Sequence, residues 1–179
     1  DDNASGTVAV MEIAKACMAT GIKPKRTILF AAWTAEEMGL LGSAYFVNHP
    51  PAGKMVFYLN FDMISRDDKD DSTSRKCSMI YSDDYKIFEA ISREYIDAYN
   101  LGLQVEFKPR EKPFGGSDHS SFAKKGVPVS YFMAGWHDDY HKPGDHPNKA
   151  NIDKMTDIIR LGFLNVWYFA NEEITKTKK

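Results

Sequence analysis

The sequence predicts an α/β fold, a three-layer α/β/α sandwich around a mixed, largely parallel central sheet. Three observations carry that expectation. Segments of strand length alternate with segments of helical periodicity along the 179 residues. Residues 26–34 (Arg-Thr-Ile-Leu-Phe-Ala-Ala-Trp-Thr) and 55–63 (Met-Val-Phe-Tyr-Leu-Asn-Phe-Asp-Met) are nearly unbroken apolar runs, the pattern of strands covered on both faces. Acidic residues stand at the carboxyl ends of these runs, the edge where open α/β sheets bind ligands.

The length suits a single domain over residues 1–179, burying roughly 70% of its unfolded surface. Hydrophobic residues make up 43% and charged residues 27%, the balance of a globular chain rather than a disordered one. A net charge of -2, with both signs interspersed, leaves no electrostatic footprint for nucleic acid or an anionic membrane, so a peptidic or small neutral partner fits better. No apolar run approaches the ~18 residues of a membrane-spanning helix. The sequence starts at Asp1 inside a motif and without Met, so a domain truncated at its N-terminal side, its first strands absent, is expected. Cys17 and Cys77 lack metal-type spacing and read as inert thiols.

In order, Val10, Ile13 and Cys17 recur at helical spacing over 7–21, with Asn3 or Ser5 as the cap and Gly21 as the stop. Strand 26–34 leads to Glu36 and Glu37, then to a helix that Pro50 and Pro51 end. Strand 55–63 carries Asp62 near its end. The polar run 66–76 has no periodicity and reads as a solvated loop. A short strand at 77–81, a helix at 83–100 and a strand at 103–107 follow. The Gly-rich loop at 114–117 opens a short helix at 118–125, with Ser117 as its natural cap. The last strand is 127–133, with Pro128 near its start, where proline is tolerated. A closing helix capped by Asn151 carries the apolar stripe of Met155, Ile158, Ile159 and Phe163.

This order brings Glu36, Glu37, Asp62 and His141 to one edge of the sheet, with Asp2 delivered there ahead of the first helix. An oxygen-and-imidazole set without thiolate suits zinc, manganese or cobalt in an open catalytic site and disfavours a closed structural zinc site. The adjacent glutamates divide the labour: Glu37 binds metal while Glu36 stays free to take a proton from water, as a general base does.

Five stretches resemble, in order, the motifs of the M28 family of zinc aminopeptidases. They are Asp-Asp-Asn-Ala-Ser-Gly at 1–6, Thr-Ala-Glu-Glu-Met-Gly-Leu-Leu-Gly-Ser at 34–43, Asn-Phe-Asp-Met at 60–63, Ser-Asp-His-Ser-Ser-Phe at 117–122 and Asp-Tyr-His-Lys-Pro-Gly-Asp at 139–145. The resemblance implies a metal-dependent aminopeptidase that hydrolyses the N-terminal peptide bond of peptides. It implies two zinc ions bridged by Asp2, one completed by Glu37 and His141 and the other bound by Asp62. Glu36 matches the general base and Tyr140 the tyrosine that hydrogen-bonds the oxyanion. Asp118 matches an acid lining the substrate pocket, and Trp136, Phe114 and Tyr131 are candidates for an apolar wall. Export, to the periplasm or outside the cell, is common in the family and is expected here.

The family's second metal also takes a histidine that lies before the Asp-Asp motif, hence outside residues 1–179. His49 reads as a surface residue and His146 as a structural one in a Pro-flanked loop, and His137 is a weak candidate because Pro143-Gly144 argues against a helix aligning it with His141. One strong zinc site is therefore expected in this segment, the second waiting on the missing N-terminal segment of the same domain. Two alternatives stand. A glutaminyl-peptide cyclotransferase of the same fold uses one zinc, with a three-ligand pattern matching Asp2, Glu37 and His141. A non-catalytic peptidase-like binding domain is the other.

Overall fold

The computed structural model describes residues 1–51 and 53–177. Its helices are α1 (Ala4–Ala19), α2 (Leu41–Asn48), α3 (Ile87–Ala98), α4 (His119–Lys124) and α5 (Ile152–Asn171). Its strands are β1 (Tyr58–Phe61), β2 (Lys76–Ser82), β3 (Gln104–Arg110) and β4 (Val129–Met133), side by side in the order β1-β4-β2-β3. β1 runs parallel to β4 and β2 parallel to β3, while β2 and β4 are antiparallel, so the sheet is mixed, as the alternating pattern predicts.

Period-2 side-chain alternation sorts the two faces. Cys77, Met79 and Tyr81 of β2 and Phe132 of β4 enter one core with Ile13 of α1, Phe88 of α3 and Leu161 of α5. Val129 of β4 points the other way and packs with Val47 of α2 and Phe122 of α4. These are the two outer helical layers of an α/β/α sandwich. Cys17 and Cys77 are free thiols, and no described helix is long and apolar enough to cross a membrane.

Close backbone approach seats α1 on the end of β1. A Cβ at Gly6 would lie 2.3 Å from the Phe61 carbonyl oxygen, which also accepts a 3.0 Å hydrogen bond from Asn3 Nδ2. Asn3 Oδ1 caps α1 by accepting from Gly6 N–H at 3.0 Å and takes Met63 N–H at 3.2 Å. The residues ahead of α1 are thereby held at the carboxyl end of β1.

Four expectations about the elements need correcting. Residues 26–34 form no ladder strand among the described residues, and Leu29 and Phe30 are exposed. Apolar composition favours a strand, but a strand exists only against a partner backbone, and none pairs with this one. Residues 38–40 are not helical: Gly39 and Leu40 N–H both bond to the Glu36 carbonyl, and positive φ at Gly39 (102°) and Leu40 (61°) makes a turn ahead of α2. The run 66–76 is not simply solvated. Lys154 of α5 is fully buried and sends its ammonium into the run, 2.6 Å from Asp67 and 3.7 Å from Asp71. A buried cation needs such counter-charges. The strand expected at 103–107 also continues to Arg110 through Pro109, which an edge strand tolerates.

Candidate functional site

Because β1 and β4 are parallel, Asp62, one residue past β1, and the loop that follows β4 emerge at the same sheet edge. α1 delivers Asp2 there, and the turn ahead of α2 delivers Glu36 and Glu37. His141 Nε2 lies 2.8 Å from Glu37 Oε1 and 3.2 Å from Asp2 Oδ2. One ligand atom each from Asp2, Glu37 and His141 fits within 4.8 Å of the others. Glu36 faces the same small cavity, about 30 Å³, with Asp2, Glu37, Asp62, Tyr131, Trp136 and Tyr140.

Asp62 is fixed from one side. Ser117 Oγ donates to its Oδ2 at 2.6 Å, while Oδ1 is buried without a partner. Behind Ser117 runs a chain of hydrogen bonds that all point the same way. Trp33 Nε1 donates to Tyr58 Oη (2.9 Å), Tyr58 Oη to Asn60 Oδ1 (2.8 Å), and Asn60 Nδ2 to Ser117 Oγ (2.9 Å). Ser117 is therefore not the cap of α4; the N-cap position is Asp118, which makes no side-chain capping bond.

The electrostatics are those of crowded carboxylates. Burial, reinforced by Asp2, Glu36 and Asp118, pushes Asp62 up to about 7 in spite of the Ser117 bond. Burial and then Glu37 raise Asp2, with His141 opposing. Burial raises Glu36, and Glu37, Asp118 and Asp2 add to it. Tyr140 is held above its usual range by burial and by the same acids. Four converging acids, three of them made reluctant to ionise, together with an orphaned buried oxygen on Asp62, fit a divalent cation, whose charge relieves both conditions. Oxygen and imidazole donors fit zinc.

The remaining candidates divide. Trp136 and Tyr131 are in the cavity wall, Trp136 half exposed and Tyr131 buried and stacked on His119 at 4.5 Å. Asp118 is buried and does not line the cavity, and Phe114 is exposed and outside it. His49 and His146 are exposed. His137 is buried against Asp1, its Nε2 3.2 Å from Asp1 Oδ2, and does not join the ligand set. A larger cleft of about 980 Å³ lies over β2 and β3 and shares Gly116, Tyr131, Met133 and Trp136 with the small cavity. The carboxylates meet at the small one, and the large one offers room beside it.

Sequence reasoning missed Ser117 as the partner of Asp62, and it missed the groups that bind Asp1 and Asp145. Their only signal was position, next to a ligand or at the same sheet edge.

A family model described as Peptidase family M28 matches residues 1–163. The chain is similar to leupeptin-inactivating enzyme 1 of Streptomyces exfoliatus, 36% identical over 152 residues, covering 83% of this chain and 32% of that protein. It is also similar to leucine aminopeptidase 2 of Trichophyton rubrum, 31% identical over 183 residues, covering 86% of this chain and 35% of that protein. Its fold is that of the LapA aminopeptidase of Legionella pneumophila (TM-score 0.80, 23% identity, 96% of this chain and 47% of that one). The zinc aminopeptidase BSAP of Bacillus subtilis shares it too (TM-score 0.74, 23% identity, 100% and 43%). The chain thus spans about a third of the length of these curated relatives and just under half of these solved chains.

Proposed function

The chain belongs to peptidase family M28, and from that premise we propose that it carries most of the catalytic site of a metal-dependent aminopeptidase that removes the first residue of a peptide. The observation that supports this best is the meeting of Asp2, Glu37 and His141 with Glu36 beside them, free of that ligand set. Zinc held by Asp2, Glu37 and His141 supplies Lewis-acid polarisation of a carbonyl and acidifies water.

The protein groups then have distinct work. Glu36, whose proton affinity burial and the neighbouring acids raise, takes the proton of the attacking water and returns it to the departing amine. Tyr140 keeps its proton and so can donate to the oxyanion that develops on the carbonyl. The acidic rim attracts the free α-ammonium of the substrate, which favours the first peptide bond over internal ones. The small cavity is too cramped for a side chain, so the first side chain is directed past Trp136 and Met133 toward the larger cleft.

Asp2, Glu37 and His141 make one strong zinc site. Asp62 with a share of Asp2 makes a weaker second, because the described residues bring no histidine to Asp62. We assign that histidine to a segment of the full-length protein outside residues 1–179, and exposed Leu29 and Phe30 offer such a segment an apolar seat. The three-donor cluster of Asp2, Glu37 and His141 is also what a glutaminyl-peptide cyclotransferase needs; the orphaned Oδ1 of Asp62 favours the peptidase.

The full-length protein with zinc, given a peptide that begins with Gln, separates the readings. Release of free glutamine, abolished by acetylating the peptide's amino terminus, is expected; loss of ammonia with the chain intact would indicate the cyclotransferase. Glu36→Gln should cut hydrolysis of an aminoacyl anilide by about 10²–10⁴-fold with zinc still bound. An unchanged rate in that variant would sink the assigned role.

A further inference from the structure

Two of the three ligand side chains stand out toward solvent. His141 is 47% exposed at its side chain and Glu37 61%, and both stand in turns rather than in strands or helices. The geometry of the set is therefore imposed from behind, and the polar segment after Asp62 is what does it. The Arg66 guanidinium, nearly buried, forks between two carboxylates: one nitrogen donates to Asp139 Oδ2 at 2.7 Å, the other to Asp145 Oδ1 at 3.1 Å. Asp139 and Asp145 flank His141 in sequence, so the fork fastens both ends of its loop. The second oxygen of Asp145 accepts the main-chain N–H of Asp2 at 3.0 Å and the main-chain nitrogen of Asp1 at 2.8 Å. Gly144 lets the loop close, since a Cβ there would lie 2.4 Å from Asp139 Oδ1.

We propose that Arg66 is a positioning residue for the zinc site: by bridging Asp139 and Asp145 it sets the separation of Asp2 and His141, two of the three ligands. It touches neither metal nor substrate. A planar guanidinium suits this because its two nitrogens reach two carboxylates at once, which a single ammonium cannot do in the same geometry. The inference rests on the metal reading above.

Zinc affinity of the full-length protein, measured by competition with a chromophoric chelator, tests it, with thermal melts in EDTA recording fold stability separately. Arg66→Ala should weaken the tighter zinc by about 10–100-fold, the range for lost outer partners of metal ligands, and Arg66→Lys should fall between it and the parent. The control is Arg75→Ala, which removes a different ion pair, to Asp157 on α5 at 3.6 Å, and should leave zinc affinity within about twofold of the parent. Arg66→Ala within twofold of the parent, or equal losses in Arg66→Ala and Arg75→Ala, overturns the inference. If Arg66→Ala does not fold, Arg66→Lys and Asp145→Asn decide, and two affinities within twofold of the parent overturn it. A parent protein that binds no zinc overturns the metal reading and this inference with it.

Discussion

At Asp62 the two oxygens of one carboxylate have different surroundings, and the difference makes a prediction. Oδ2 is occupied by the Ser117 hydroxyl, which the Trp33–Tyr58–Asn60 chain orients, and Oδ1 has no partner. A donor on one oxygen favours the ionised form and turns the other toward a cation. Zinc titration of residues 1–179, which lack the histidine assigned to another segment, should therefore show two unequal steps, the tighter from Asp2, Glu37 and His141. Ser117→Ala should weaken only the looser step, by about tenfold. Equal weakening of both steps would show that Ser117 supports the fold and not Asp62 in particular. The acids themselves were legible, because a Glu pair at the end of an apolar run is an expensive placement that chemistry explains. Ser117 was not, since a serine before a short helix reads equally well as a cap, and only the approach of β1 to the 114–118 loop assigns it to Asp62.

Among the elements, α5 and the 66–76 run show why local pattern was sometimes insufficient. Met155 and Ile158 of the expected stripe, both buried, and the Asn151 cap, whose Oδ1 accepts Lys154 N–H at 3.1 Å, are local signals and were readable. The run looks like solvated loop because its organising cation lies on another element. Lys154 Nζ bonds the Arg66 carbonyl across 88 residues of sequence, at 3.1 Å, and pairs with Asp67. Residues 26–34 fail in the opposite sense: the local pattern for a strand is strong, and the partner it presupposes is not beside it. Removing one member of a buried pair leaves the others uncompensated, so Lys154→Ala should cost about 2–4 kcal/mol, toward the lower end because Asp67 is partly exposed. Lys154→Met, which restores volume without charge, should recover less than half of that in urea melts. Recovery of nearly all of it would mean that packing, not charge compensation, is what Lys154 provides.

Across the whole molecule, the fold class and the edge of the sheet carrying the site followed from the order of elements, but the opposed behaviour of two acid groups did not. The acids of the frame are held down. Lys149 and then Arg66 bring Asp139 to about 2, and hydrogen bonds from Thr73 and Lys76 bring Asp71 to about 2 against the effect of burial. Those of the site are pushed up, Asp62 to about 7, chiefly by burial. The signs are opposite. A lowered carboxyl stabilises the fold fully above its unfolded value of about 4, and that contribution is lost as pH falls toward 2. A raised carboxyl costs nothing below about 4, and its cost grows as pH rises to about 7, where Asp62 must ionise in place; for a shift of this size the cost is about 2–4 kcal/mol. In EDTA the chain should therefore be most stable near pH 4–5, losing stability on the acid side through the frame and on the neutral side through the site. Saturating zinc should restore the neutral side and leave the acid side unchanged at pH 3, where protonated ligands no longer hold the metal. Urea melts from pH 3 to 8, with EDTA and with zinc, measure both arms. A metal-free stability that stays level or climbs between pH 5 and 8 would mean that the crowding at Asp62 is relieved by the protein itself rather than by a bound cation.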